Sequence, residues 1–224
     1  MINDIIIAID GHSGCGKSTT SKLLAKNLNF KYLDSGAMYR AVTLFFINRG
    51  ISHCDIKKIE NELDNIIIDF KYVKDNQHIF LNNQDVENDI RSDEISNKVS
   101  LFSSNSSIRK FLVNKQKAFG VNKNIIVEGR DITTVVFPDA EIKVFMTAEI
   151  QVRAKRRFNE MKSKNPEITY SDVIKNLEDR DTQDSNRKDS PLVIADDAFI
   201  LDTSDLEIKD QVDKIINFIE NKFS

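Results

Sequence analysis

The sequence predicts an α/β fold, a parallel doubly wound sheet with helices on both faces, and three observations carry that prediction. Apolar β-branched runs alternate along the chain with stretches of helical period. The first run ends in a glycine-rich turn that opens the first helix. Two regions, 63–90 and 150–190, interrupt the alternation without ending it.

Taken in order, residues 4–9 read as a strand, and Lys17 to Leu28 as a helix in which Leu23, Leu24 and Leu28 recur at helical spacing. A short strand at Lys31 to Leu33 ends in Asp34-Ser35-Gly36, and Met38, Val42, Phe45 and Phe46 then set a helical period to Ile47. Further strands are expected at Ile125 to Val127, Ile142 to Met146 and Ala198 to Leu201. Helices are expected at Asn105 to Phe119, Glu149 to Lys164 and Leu206 to Phe223. Within 63–90 the signals are short strands (Ile66 to Tyr72, His78 to Leu81, then Val86) with turns at Asp75-Asn76 and Asn82-Asn83, which predicts a small antiparallel insertion. Residues 150–190 are a highly charged helical stretch with Pro166 near its middle and Pro191 beyond its end, expected to act as a mobile flap.

Composition bounds the function. The 224 residues could hold one large domain or two small ones, and 40% hydrophobic with 30% charged residues is a globular balance. Lys+Arg 32 against Asp+Glu 35 leaves a formal charge of -3, so no global positive field draws the chain to nucleic acid or to an anionic membrane. Any basic site must be local. Cys15 and Cys54 have no metal-type spacing, and His12, His53 and His78 form no ligand cluster, so a reduced compartment is expected. The first apolar run is too short for a signal segment, and no later run reaches the roughly 18 residues of a membrane span. A cytoplasmic protein is the expectation.

The glycine turn is specific. Gly11-His12-Ser13-Gly14-Cys15-Gly16-Lys17-Ser18 fits G-x-x-x-x-G-K-[ST] between a strand and a helix, the context that a phosphate-binding P-loop requires. Glycines let backbone N–H groups wrap around phosphates, and the helix N-terminus adds its positive dipole end. Lys17 reaches the outer phosphates, Ser18 can ligate Mg²⁺, and Thr19 completes the ATP-binding run. The chain lacks the guanine-reading N-K-x-D motif, since Asn122-Lys123-Asn124-Ile125 has no Asp. That argues against a GTPase.

A second set of residues suits a phosphate acceptor. Asp34-Ser35-Gly36-Ala37-Met38-Tyr39-Arg40 follows the second strand, at the edge where an open parallel sheet binds ligands. Val127-Glu128-Gly129-Arg130-Asp131 ends another strand at that edge. Arg180, Asp184 and Arg187 share one helical face, as do Arg153, Arg156 and Arg157. Such spacings also describe solvated salt-bridged faces. Their coincidence with a triphosphate loop favours transfer between two phosphates.

With these motifs in view, the chain closely resembles the bacterial cytidylate (CMP) kinase family among the nucleoside monophosphate kinases. The resemblance runs over essentially the whole length. Its carriers are Ile9-Asp10-Gly11 through Lys17-Ser18-Thr19, Leu33 through Arg40, Asp89-Ile90-Arg91, Glu128-Gly129-Arg130-Asp131, Thr134 through Ala140, and Arg180-Asp181 with Asp184-Ser185-Asn186-Arg187. It implies a P-loop NTPase-type core of five parallel strands (1–62, 91–149 and 189–224), a monophosphate-binding insertion (63–90) and a helical lid (150–188). It further implies transfer of the ATP γ-phosphoryl group to CMP or dCMP with Mg²⁺, in pyrimidine nucleotide metabolism.

The family's phosphate contacts fall on Ser35, Arg40, Arg130 and Arg187, its ribose contacts on Arg180 and Asp184, and its cytosine contacts on Ser100, Arg109 and Asp131. Arg153 and Arg157 are candidates for lid contacts to the transferred phosphate, beside Lys17. Partners are then small molecules, with no nucleic acid and no membrane, and a monomer is expected. Two departures stand out: His12 where the family commonly has Pro, and Thr133 where Gly commonly follows the Arg-Asp pair. The competing readings are a P-loop kinase for another small acceptor and a non-catalytic ATP-binding module.

Overall fold

The structure, a computed structural model, describes residues 4–74, 76–162 and 166–224. In chain order its elements are β1 (Ile6–Gly11), α1 (Lys17–Leu28), β2 (Lys31–Asp34), α2 (Ser35–Asn48), α3 (Ile56–Glu62), β3 (Ile68–Val73), β4 (Asn76–Leu81) and β5 (Gln84–Asp85). There follow α4 (Asp93–Ser103), α5 (Ser106–Phe119), β6 (Ile125–Gly129), β7 (Ile142–Thr147), α6 (Ile150–Lys162), α7 (Tyr170–Asn186), β8 (Phe199–Asp202) and α8 (Ile208–Phe223). They fall into two compact units, one running to Leu33 and again from Phe119 to Ser224, the other from Asp34 to Ala118.

The first unit is built on a five-stranded sheet in the order β2-β6-β1-β7-β8. β1 pairs in parallel with both β6 and β7, and β7 with β8. A central parallel strand is covered on both faces, which is why β1 and β6 need unbroken apolar runs; Ile7, Ala8, Ile9, Ile126 and Val127 are wholly buried. At the edge the pattern alternates instead, with Ile200 exposed and Leu201 buried on β8. Leu24 and Ala25 of α1 and Val212, Ile215 and Ile219 of α8 join the sheet residues in one core.

The charged stretch expected as one flap is two helices. Ala154 of α6 packs with Val173 and Leu177 of α7, flanked by Phe158 and Met161. Proline cannot continue a helix and disfavours helical backbone before it, so Pro166 falls between them. Thr169 restarts the chain as α7: its hydroxyl accepts from the Asp172 N–H, and the Asp172 carboxylate accepts from the Thr169 N–H, a reciprocal capping box. The expected helix end at Lys164 lies outside the described residues.

In the second unit α2 buries Met38, Ala41, Val42, Phe45 and Phe46, and the Phe46 ring stacks on Phe102 of α4 at 5.8 Å. β3, β4 and β5 form an antiparallel sheet in that order. Leu81 pairs with Gln84 across Asn82 and Asn83, whose φ values of 49° and 68° make the two-residue turn that asparagine tolerates. The other expected turn begins at Asp75, which lies outside the described residues. No helix was expected at α3, which has one buried residue, or at α4, although α4 carries a helical period. α4 carries Ile95, Val99 and Phe102 on one buried face, and the Ser92 hydroxyl caps it by accepting from the Ile95 N–H.

Candidate functional site

The loop between β1 and α1 begins where the sheet holds the chain most tightly. Gly11 pairs with Met146 of β7, at φ 151°, and a Cβ there would lie 1.9 Å from the Met146 carbonyl oxygen. Gly16 takes the N-cap of α1 at φ 95°, so the loop enters the helix through a conformation that side chains resist. Thr203 and Gln211 support this turn from the C-terminal segment. The Thr203 hydroxyl donates to the Cys15 carbonyl (2.9 Å), and the Thr20 hydroxyl donates to Gln211 Oε1 (2.6 Å). Ser18 and Thr19, the next helical residues, are exposed.

Lys17 is buried, its Nζ donating to the carbonyls of Gly11 (2.9 Å) and His12 (2.6 Å). Burial lowers its pKa and nearby Arg130 adds to the effect, while Cys15, Glu128 and Asp10 oppose it. The ammonium is thus fixed inside the loop. His12 packs edge-on against Phe145 at 5.6 Å, and burial depresses its pKa, with Asp181 pulling the other way.

Around the loop stands a guanidinium and carboxylate cluster. Arg130, just past β6, donates from Nε to Asp184 Oδ2 (2.9 Å), and Arg187 lies 3.6 Å from Asp184 Oδ1. Burial opposes ionisation of Asp184, but Arg130, Arg187 and Arg180 outweigh it and hold the carboxyl below the ordinary aspartate range. Arg180 is pushed down to about 10, chiefly by burial and then by Arg130. Arg153 joins this cluster to the loop: one NH group donates to the Ser13 carbonyl (3.2 Å) and to Asp181 Oδ2 (2.6 Å), and Nε donates to Ala148 O (3.0 Å).

The expected face of Arg153, Arg156 and Arg157 therefore divides. Arg156 donates to the Thr203 carbonyl (2.6 Å) and hydroxyl (3.2 Å), a brace behind the loop. Arg157 pairs with Glu160 on its own helix at 3.2 Å and is near enough to Arg180 to lower its pKa.

Asp131 is buried directly after Arg130. The turn that carries it is anchored by Asp10, a residue to which the motif reading gave no role: Asp10 accepts from the N–H groups of Ile132 (2.9 Å) and Thr133 (2.7 Å) and from the Thr133 hydroxyl (2.7 Å). Burial nonetheless raises the Asp10 pKa against those three donors. The available signal was an acidic residue inside an otherwise apolar central strand.

The second unit holds the remaining candidates. Asp34 caps α2 by accepting from the Ala37 N–H (2.9 Å) and takes a second bond from Arg91 (3.1 Å). Ser35 is buried at the first position of α2, and Arg40 donates to Ile90 O (3.2 Å) and Ser96 Oγ (3.0 Å). Ser100 and Arg109 meet through Ser103, whose hydroxyl donates to the Ser100 carbonyl (3.0 Å) while its carbonyl accepts from Arg109 (3.0 Å). Arg109 is buried over the Tyr39 ring, 5.3 Å from its centroid.

Among the described residues no group of three or more His, Cys, Asp or Glu is placed to hold a metal by itself. The donor set at the head of α1, an exposed serine hydroxyl at a phosphate loop, fits a Mg²⁺ that draws its other oxygens from phosphate and water. No helix among the described residues is long and apolar enough to cross a membrane.

The cytidylate kinase family model matches residues 7–221. A cytidylate kinase from Fusobacterium nucleatum is 48% identical over 99% of this chain and 98% of its own length. One from Flavobacterium johnsoniae is 45% identical over 97% and 96%. A bifunctional pantoate ligase/cytidylate kinase from Prochlorococcus marinus is 47% identical over 97% of this chain, within 43% of its own length. Among solved structures, an uncharacterized protein from Eubacterium ventriosum shares the fold, with a TM-score of 0.54 at 14% identity over 97% of this chain and 99% of that one.

Proposed function

Since the chain belongs to the cytidylate kinase family, we propose that it is an ATP-dependent kinase that moves the γ-phosphoryl group of ATP to CMP or dCMP, giving CDP or dCDP and ADP. The observation that carries this reading is Lys17 fixed inside the phosphate loop beside a cluster of buried Arg153 and half-buried Arg130, Arg180 and Arg187. Such a concentration of cation suits two phosphates brought into line.

The acceptor's monoester oxygen is already an anionic nucleophile, so no covalent enzyme intermediate is needed. The chain has to align that oxygen, neutralise charge and exclude water. The loop 11–19 cradles the ATP phosphates with its backbone N–H groups, and Lys17 places a point charge at the outer ones. Mg²⁺, when bound through Ser18 and the phosphates, would supply further charge neutralisation.

For the acceptor, the reading gives the phosphate to Ser35, Arg40, Arg130 and Arg187, the ribose to Arg180 and Asp184, and cytosine to Ser100, Arg109 and Asp131. It makes residues 150–188 a lid whose Arg153 and Arg157 contact the transferred group, and 63–90 the monophosphate-binding insertion on a core of 1–62, 91–149 and 189–224. It also takes the protein to be a cytoplasmic monomer. A coupled assay with ATP, Mg²⁺ and each nucleoside monophosphate tests the proposal: CMP and dCMP should drive ADP release. Acceptor-independent ATP binding without turnover would leave only a nucleotide-binding module.

A further inference from the structure

We propose that Thr133 is a positioning residue that sets acceptor selectivity by fixing the turn on which Asp131 is carried, an inference that rests on the kinase reading above. Asp10 is wholly buried near the end of β1, in register with Gly129 of β6. Beyond Gly129 the chain turns back over β1, and the Asp10 carboxylate catches it at both oxygens. Oδ1 takes the Ile132 N–H, while Oδ2 takes both the N–H and the hydroxyl of Thr133 at 2.7 Å each.

The turn is closed on its other side by helical bonds, two of them spanning five residues. The Asp131 carbonyl accepts from Val135 N–H (2.9 Å) and Val136 N–H (3.1 Å), and the Ile132 carbonyl accepts from Phe137 N–H (2.7 Å). Five-residue turns of this kind are rare and concentrate at functional sites. Asp131 is therefore held between two anchors, and among the described residues the Thr133 hydroxyl is the side-chain donor to Asp10. A hydroxyl bonded to a buried carboxylate has one low-energy orientation, so it removes the turn's freedom to tilt. A carboxylate meant to accept from the cytosine amino group discriminates only when its lone pairs are aimed, and small misplacements are costly.

The experiment compares Thr133→Val, which replaces the hydroxyl by a methyl at nearly the same volume and keeps the backbone N–H, with Thr133→Ser, which keeps the hydroxyl. Each is checked for folding by thermal melt, and kcat/KM for CMP and UMP and the KM for ATP are measured. Thr133→Val should lose on the order of tenfold in the CMP:UMP ratio, with ATP KM within about twofold of wild type, and Thr133→Ser should keep the ratio. An unchanged ratio in folded Thr133→Val, or equal losses toward CMP and ATP, overturns the proposal while leaving wild-type CMP turnover standing. Wild-type protein without CMP turnover overturns the kinase reading and this inference together.

Discussion

Lys17 shows how a charge is prepared before any substrate arrives. Its ammonium, tied to two loop carbonyls, cannot fold away from the phosphates, so Lys17→Met should reduce turnover to background while the thermal melt stays near wild type. A folded, active Lys17→Met would defeat its role. Asp184 can be tested both for stability and for the proposed sugar contact. Asp184→Ala removes the carboxylate that half-buried Arg130 and Arg187 share and should cost about 1–3 kcal/mol in urea unfolding at neutral pH. Because the Asp184 pKa is lower folded than unfolded, its contribution is full above the ordinary value of about 4 and fades as the pH falls further, so the gap between wild type and variant should narrow in acid. The same variant should lose more kcat/KM for CMP than for dCMP, since only CMP has a 2′-OH to lose a partner; equal losses would mean that Asp184 acts only on structure or on the 3′-OH. A lid group acts mainly as charge is redistributed, so under the proposed role Arg157→Ala should lower kcat more than it raises the CMP KM, and the opposite partition would place Arg157 in ground-state binding or on the surface.

At the scale of elements, legibility followed the strength of the local pattern. β1 and α1 were readable because a β-branched run, three glycines and a leucine period meet within 25 residues, and the turn chemistry permits little else. Gly11→Ala should leave little soluble protein, because a Cβ 1.9 Å from a backbone carbonyl can be relieved only by separating β1 from β7. Helix α3 buries only Ile59, so tertiary packing supplies what periodicity lacks, whereas α4 carries an i, i+4, i+7 apolar set among many polar residues. α7 is the converse case, a charged helix with a strong start signal. Removing its cap in Thr169→Ala should lower stability by about 1 kcal/mol, seen as a lower urea midpoint with unchanged slope; no change would mean that the α6 contact alone holds the helix start.

Across the whole molecule, the glycine loop and the arginines stand out by local spacing, whereas the carboxylates that pair with the arginines do not. Asp181 and Asp10 matter through partners 28 and 123 positions away, and no local spacing encodes such a pairing. Arg156, by contrast, looked like its neighbours in sequence and proved to brace Thr203. The central claim concerns the acceptor. Cytosine offers an amino donor beside ring acceptors, and uracil reverses that pattern, so a carboxylate and a hydroxyl accepting opposite an arginine donating should reject UMP. Two mismatched buried contacts cost about 1–3 kcal/mol each. Measured side by side with saturating ATP and Mg²⁺, kcat/KM for CMP should exceed that for UMP by on the order of a hundredfold. Equal efficiency with the two would contradict the account.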